Sequence, residues 1–77
     1  MPTPKPQYYI RTMIAGRWHF LKEIQYSPTR PIWLDEILLS KHTPKLYKTL
    51  VLARNTLDIH ASLLARSEAA VWKEPHG

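Results

Sequence analysis

The sequence contains no cysteine and only two glycines, Gly16 and Gly77. Without thiols the chain forms neither a disulfide nor a thiolate zinc site, so no cross-link compensates for a small core. Two glycines also supply no glycine-rich loop of the kind that cradles phosphates, and no P-loop or dinucleotide-binding pattern is present. These absences exclude several classes of enzyme.

Long apolar runs are absent too. No stretch approaches the ~20 apolar residues that cross a membrane, and Met1 is followed by alternating prolines rather than by an apolar signal segment. We therefore expect a cytoplasmic protein with no membrane partner. Proline itself is frequent, and the three prolines among the first six residues predict a flexible arm over residues 1–7.

Residues 8–74 are predicted to form a single domain of the α+β class. A chain of 77 residues has room for one core. Its 44% hydrophobic content, with three tryptophans and four tyrosines, is typical of an ordered domain. The formal net charge of +5 favours attraction to a nucleic acid or an acidic protein surface, and a solvated basic surface explains it equally well.

An antiparallel β-hairpin is predicted near the N-terminus. Tyr8 to Ile14 is rich in aromatic and β-branched residues, and Arg17 to Tyr26 forms the returning strand after an Ala15-Gly16 turn. Strand alternation gathers large apolar side chains on a first face, which we predict to be the core. These side chains belong to Tyr9, Met13, Trp18, Phe20, Ile24 and Tyr26.

The second face of the hairpin is less polar than a solvent face should be. We therefore expect another element or a partner to cover it. It comprises Tyr8, Ile10, Thr12, Ile14, Arg17, His19, Leu21 and Glu23.

One main amphipathic helix is predicted to pack on the hairpin. Thr43-Pro44 is a helix start signal, and apolar residues then recur at helical spacing to at least Leu57. Asp35 is predicted to cap a preceding short helix that ends at Lys41. Ser67 to Lys73 either continues the main helix or forms a third strand. Because one helix from 44 to 73 is long for so small a domain, we favour a break and a short C-terminal strand.

No set of residues suited to catalysis or metal binding is visible. The four histidines lack metal-ligand spacing and have no cysteine to join them. They are His19, His42, His60 and His76. Asp35 and Glu36 are interpreted as helix-terminal charges rather than as an acid–base pair. We therefore predict a protein that is not an enzyme and has no cofactor.

Basic and aromatic side chains are the candidate contacts with a partner. Exposed tryptophan near arginine is the composition of binding hot spots, and basic residues attract acidic or phosphate-bearing surfaces. The predicted contacts are Arg11, Arg17, His19, Lys22, Arg30 and Trp33. Lys41, Lys45 and Lys48 have the spacing of one helical side, either as a solvated face or as a grip for phosphates.

Two short motifs follow the hairpin: Trp33-Leu34-Asp35-Glu36, and Tyr47-Lys48-Thr49 with Ala53 four residues on. Over residues 8–57 this order resembles small phage and prophage accessory proteins, the anti-CRISPR inhibitors among them. Ser40 stands where those proteins usually have a small apolar residue. Residues His42 to Leu46 lengthen the segment between the two motifs. The resemblance implies an inhibitor or adaptor that binds and blocks a larger host complex, and it transfers no catalytic residue.

The sequence thus predicts a small non-catalytic binding protein, with a phage-encoded anti-defence inhibitor of a host protein complex as its concrete form. A basic nucleic-acid-binding module or regulator is the first alternative. The second is a homodimer or larger homo-oligomer that associates through the second face of the hairpin.

Overall fold

The computed structural model describes residues 6–72. Its elements are β1 (Gln7–Ile14), β2 (Arg17–Gln25), β3 (Arg30–Asp35), a 3-10 helix (Glu36–Ser40), α1 (Leu50–Ile59) and β4 (Glu68–Trp72). The strands form one antiparallel sheet in the order β3-β2-β1-β4. The predicted α+β fold, with an N-terminal hairpin and one main helix, is confirmed.

The turn between β1 and β2 has the conformation that its sequence predicts. Ala15 and Gly16 both have positive φ angles, of 52° and 81°. A two-residue turn with positive φ at both positions matches the right-handed twist of the flanking strands, and glycine adopts such angles without a steric penalty. Ile14 pairs with Arg17 directly beside this turn, which fixes the register of the hairpin.

The ends of the sheet depart in part from prediction. β4 confirms the expected C-terminal strand, although its predicted last residue, Lys73, lies outside the described residues. β1 begins at Gln7, inside the predicted arm, and residues 1–5 of that arm lie outside the described part of the chain. β3 was not predicted as a strand, since Pro28 and Pro31 indicate a loop. Pro31 is tolerated because β3 is an edge strand.

A bulge in β2 changes which side chains share a face of the sheet. β2 and β3 pair regularly up to Leu21 and again from Glu23, which leaves Lys22 as an extra residue. Because a shift of one residue reverses side-chain direction, Ile24 lies on the same face as Leu21. The prediction that Ile24 lies beside Phe20 is therefore wrong.

The segment before α1 is bonded to both strands of the hairpin. The Lys45 N–H donates to the Leu21 carbonyl of β2 at 2.9 Å. Tyr47 and Tyr8 of β1 exchange two backbone hydrogen bonds, of 2.9 and 2.8 Å. Paired contacts between β1 and β2 extend only from the turn to Arg11 and Phe20. The segment 45–47 thus lies where the two strands have separated.

These backbone bonds explain why α1 begins at Leu50 and not at Thr43-Pro44 as predicted. Backbone groups of Lys45 and Tyr47 are hydrogen-bonded to neighbouring strands, so they are not available for the hydrogen bonds of a helix. Thr49 takes the N-cap position instead, with its hydroxyl accepting from the Leu52 N–H at 3.2 Å. The short helix preceding this segment is confirmed, and the Asp35 carboxylate caps it by accepting from the Ile37 N–H.

The main core lies on the second face of the hairpin. Ile10 and Leu21 are fully buried there, and α1 packs over β1 and β4 on this side. The core cluster comprises Ile10, Leu21, Tyr47, Ala53 and Leu64. The prediction that the first face is the core is therefore wrong, and the expectation that another element covers the second face is confirmed.

A smaller aromatic cluster occupies the first face. Tyr9 and Phe20 are buried with ring centroids 5.1 Å apart, and Trp72 meets Tyr9 edge-on at 5.5 Å. Tilted and edge-on ring pairs of this kind stabilise beyond the area that they bury. Met13 and Tyr26, which were predicted to join this face, are exposed.

We expect Leu21→Ala to lower the free energy of unfolding by about 2–5 kcal/mol, because it removes a fully buried side chain from the centre of the core. Leu52→Ala is the matched control, since Leu52 is 47% exposed. Urea unfolding followed by tryptophan fluorescence measures both. Equal losses for the two variants would contradict the assignment of the core.

Candidate functional site

An open groove of about 490 Å³ lies at the hairpin tip. One wall is the end of β1 and the turn, and the other is the loop that follows α1. Its lining residues are Thr12, Met13, Ile14, Ala15, Trp33, Ser62, Leu63, Ala65, Arg66 and Ser67. Ile14 is 42% exposed on the α1 side of the sheet, so apolar surface meets solvent here, whereas the side chain of Met13 alternates to the other face beside Trp18.

The loop wall of this groove is fixed by hydrogen bonds. The N–H groups of Leu63 and Leu64 both donate to the His60 carbonyl, and the Ser67 N–H donates to the Leu64 carbonyl. The buried Thr12 hydroxyl of β1 donates to the Arg66 carbonyl at 3.3 Å. The groove is therefore formed before any partner arrives, which lowers the entropic cost of binding.

A charged cluster on β2 and β3 lies on the same side of the sheet as Trp33. An Arg17 guanidinium nitrogen lies 3.1 Å from one Asp35 carboxylate oxygen, and the His19 Nε2 atom lies 3.7 Å from the same oxygen. The other Asp35 oxygen caps the 3-10 helix. Asp35 thus neutralises much of the positive charge of this cluster.

Arg11 lies on the opposite face of the sheet. Its guanidinium stacks 4.0 Å from the ring centroid of Trp18, and its Nε atom donates to the Glu68 carboxylate at 3.0 Å. A cation over an aromatic face and an opposite charge at hydrogen-bond distance both hold the side chain in place. Arg11 therefore stabilises the pairing of β1 with β4.

The six predicted partner contacts do not form a single surface. Arg17, His19 and Trp33 share the α1 side of the sheet, while Arg11 lies on the other side. Lys22 is exposed at the β2 bulge, and Arg30 donates to the Gln25 amide oxygen at 2.9 Å. Of the six, only Trp33 lines the groove.

Sequence reasoning missed Met13, Ile14 and Arg66 as groove residues. Met13 and Ile14 were assigned by strand alternation to the two faces of the hairpin. A signal was nevertheless present, because apolar residues directly before a tight turn sit at the end of a sheet, where little can cover them. Arg66 reaches the groove through the loop after α1, and that loop has no local sequence signature.

A second cavity, of about 300 Å³, lies between α1 and the far end of β2. It is lined by Glu23, Ile24, Tyr26, Lys45, Tyr47, Thr56 and His60. The Tyr47 hydroxyl is buried and has no hydrogen-bond partner. The Thr56 hydroxyl lines the same cavity and donates its proton to the Leu52 carbonyl at 3.2 Å, so that proton is not available to the phenol oxygen.

The pKa of Tyr47 is raised above the ordinary tyrosine value. Burial is the main cause, because it disfavours the charged phenolate, and the Tyr26 phenol adds to the rise, while the Thr56 hydroxyl partly offsets it. Tyr47 therefore stays protonated where an exposed tyrosine begins to ionise.

Within residues 6–72 no group of three histidine or acidic side chains is placed to hold a metal ion, and His76 lies outside the described part. Within the same residues, no helix has the length and apolar character needed to span a membrane. Comparisons with family models, with curated proteins and with solved structures found no match for this chain.

We expect Tyr47→Phe to raise the free energy of unfolding by about 1 kcal/mol near neutral pH, because it deletes a buried hydroxyl that lacks a partner. Above about pH 10 the unfolded tyrosine ionises before the folded one, so the wild type also loses stability as pH rises there, and the variant loses less. Exposed Tyr26→Phe is the control for the comparison at neutral pH. Chemical unfolding at neutral and alkaline pH measures all three, and a destabilised Tyr47→Phe variant would contradict the orphaned state of the hydroxyl.

Proposed function

We propose that this chain is a small binding protein that docks a partner protein in the groove at the hairpin tip. The observation that supports the proposal is the preformed groove with exposed Ile14 on its rim and Trp33 in its lining. Exposed apolar surface beside an aromatic anchor is the composition of the energetic centre of protein interfaces.

The charges near the groove favour a particular kind of partner segment. Arg66 lines the groove and makes no ion pair with residues 6–72, whereas Arg17 is paired with Asp35. An apolar side chain in the groove with an acidic residue beside it would satisfy both features. The net charge of +5 would also speed encounter with an acidic surface.

The resemblance to phage accessory proteins suggests the biological form of this function. In that form the partner is a component of a larger host complex, and occupation of its surface inhibits or redirects the complex. The proposal requires no catalytic residue, which is in keeping with the paired or solvated state of the charged groups near the groove.

A nucleic-acid-binding role is the second candidate. The segment between the 3-10 helix and α1 carries Lys41, Lys45 and Lys48 without any acidic residue. These lysines do not line one helical side as predicted, because the segment is not helical. An exposed run of lysines can still follow a phosphate backbone.

We expect Ile14→Glu to abolish capture of a stoichiometric protein partner from a bacterial lysate, because it places a charge at the apolar rim. Leu52→Glu is the matched control, since Leu52 is a similarly exposed aliphatic residue on α1. Nuclease treatment should leave capture by the wild type unchanged. Equal capture by both variants would contradict the groove as the binding site.

Salt dependence separates the two candidates. We expect capture of the protein partner to change little between low and moderate salt, because burial of apolar surface is not screened. A nucleic acid bound through several phosphates would instead lose affinity steeply, with a logarithmic slope of about −0.9 per phosphate contact on duplex DNA. Titration of labelled DNA and of the captured protein over the same salt range makes the comparison.

A further inference from the structure

Among the described residues, β4 forms one edge of the sheet. It neighbours β1 only, and no other strand among residues 6–72 pairs with its outer side. Edge strands offer unpaired N–H and C=O groups to other chains, and proteins commonly block them with proline, lysine or a bulge. The opposite edge contains Pro31, whereas β4 reads Glu-Ala-Ala-Val-Trp and pairs with β1 over five consecutive residues without a shift.

The hydrogen bonds of Tyr8 establish which groups of β4 point outward. The N–H and C=O of Tyr8 are both bonded to Tyr47, on the side away from β4. Tyr8 is opposite Val71, so this is a pair without mutual hydrogen bonds, and Val71 directs its own N–H and C=O to the outer edge. By the alternation of an antiparallel ladder, Ala69 does the same.

We propose that two copies of this chain associate through β4, as an antiparallel pair centred on Ala70. In this register Ala69 of one copy faces Val71 of the other, so each of the two symmetry-related pairs makes both of its hydrogen bonds. Ala70 meets its own counterpart at the close spacing of about 4.5 Å between Cα atoms, which a methyl side chain tolerates. Glu68 faces Trp72, so no like charges are opposed.

The helical layer fits the same arrangement. α1 packs over β1 and β4, so the two helices of a dimer would lie on one face of a continuous sheet. With strands about 4.8 Å apart, a helix centred over β1 and β4 would lie about 10 Å from its counterpart. Packed helices are separated by roughly 8–10 Å. Val71, which is 46% exposed and lies on this face, would be covered between them.

The flank of α1 nearest the β4 edge has complementary charges. Thr56 faces the cavity beside β2. Arg54 and Asp58 are each two residues from Thr56, about 200° around the helix, and therefore lie on the flank toward β4. The two helices of such a dimer would run antiparallel, so the flank that carries Arg54 and Asp58 in one copy would face the same flank of the other.

This route differs from the homo-oligomer that the sequence offered as a second alternative. That expectation used the second face of the hairpin, and α1 and the core cluster cover this face. The β4 edge instead extends the sheet without uncovering any part of the core.

A cysteine at the symmetry axis gives a direct test, because the chain has no cysteine of its own. We expect Ala70→Cys to form an inter-chain disulfide under mild oxidation, since the two Cα atoms would lie within the roughly 4.4–6.8 Å that disulfides span. Non-reducing electrophoresis would then show a species of twice the 9.0 kDa chain mass. Ile59→Cys is the matched control, on an exposed site of the other flank of α1.

Val71→Pro tests the hydrogen bonds independently. The substitution removes an N–H that points outward, so pairing of β4 with β1 and the far-UV circular dichroism should be retained. Sedimentation velocity should show a concentration-dependent dimer for the wild type and only monomer for the variant. A wild type that stays monomeric at every concentration, a folded Val71→Pro dimer, or cross-linking of Ile59→Cys equal to that of Ala70→Cys would each overturn the proposal.

Discussion

The pair of backbone hydrogen bonds between Tyr8 and Tyr47 is the constraint on which the rest of the structure depends. It places an extended segment between β1 and the bulged end of β2, where the Lys45 N–H also bonds to the Leu21 carbonyl. The side chain of Tyr47 then enters the core, and α1 starts directly afterwards at the Thr49 cap. The position of the helix over β1 and β4 follows from this attachment.

Two properties of the surface follow from the same attachment. Because α1 sits over β1 and β4, its loop returns across the hairpin tip, where the Thr12 hydroxyl holds the Arg66 carbonyl and the groove forms. The N–H and C=O of Tyr8 bond to Tyr47 and therefore point away from β4. Val71, which is opposite Tyr8, directs its own N–H and C=O to the outer edge, and Ala69 does the same. One long-range backbone contact therefore connects the proposed binding groove with the proposed dimer edge.

Local sequence signals predicted the elements that depend on local chemistry. The Ala15-Gly16 turn and the Asp35 cap follow from short-range preferences of turn and capping residues. The C-terminal strand was favoured for a different reason, because one helix to residue 73 is long for so small a domain. The start of α1 and the buried face could not be predicted in this way. They depend on long-range bonds of Lys45 and Tyr47 and on the bulge at Lys22, which no local pattern indicates. Of the groove residues, Trp33 was predicted as a partner contact, whereas Met13 was predicted to lie in the core. Arg66 reaches the groove only through the tertiary fold, so its position was not predicted.

Native-state amide hydrogen exchange, read residue by residue by NMR, tests the central role of the Tyr8–Tyr47 pair. The bonds are predicted to break only in global unfolding, so the amide protons of Tyr8, Lys45 and Tyr47 should exchange as slowly as that of Ile10 in the core. A Tyr47 amide that exchanges much faster than the core, as in a locally opening loop, would contradict the account.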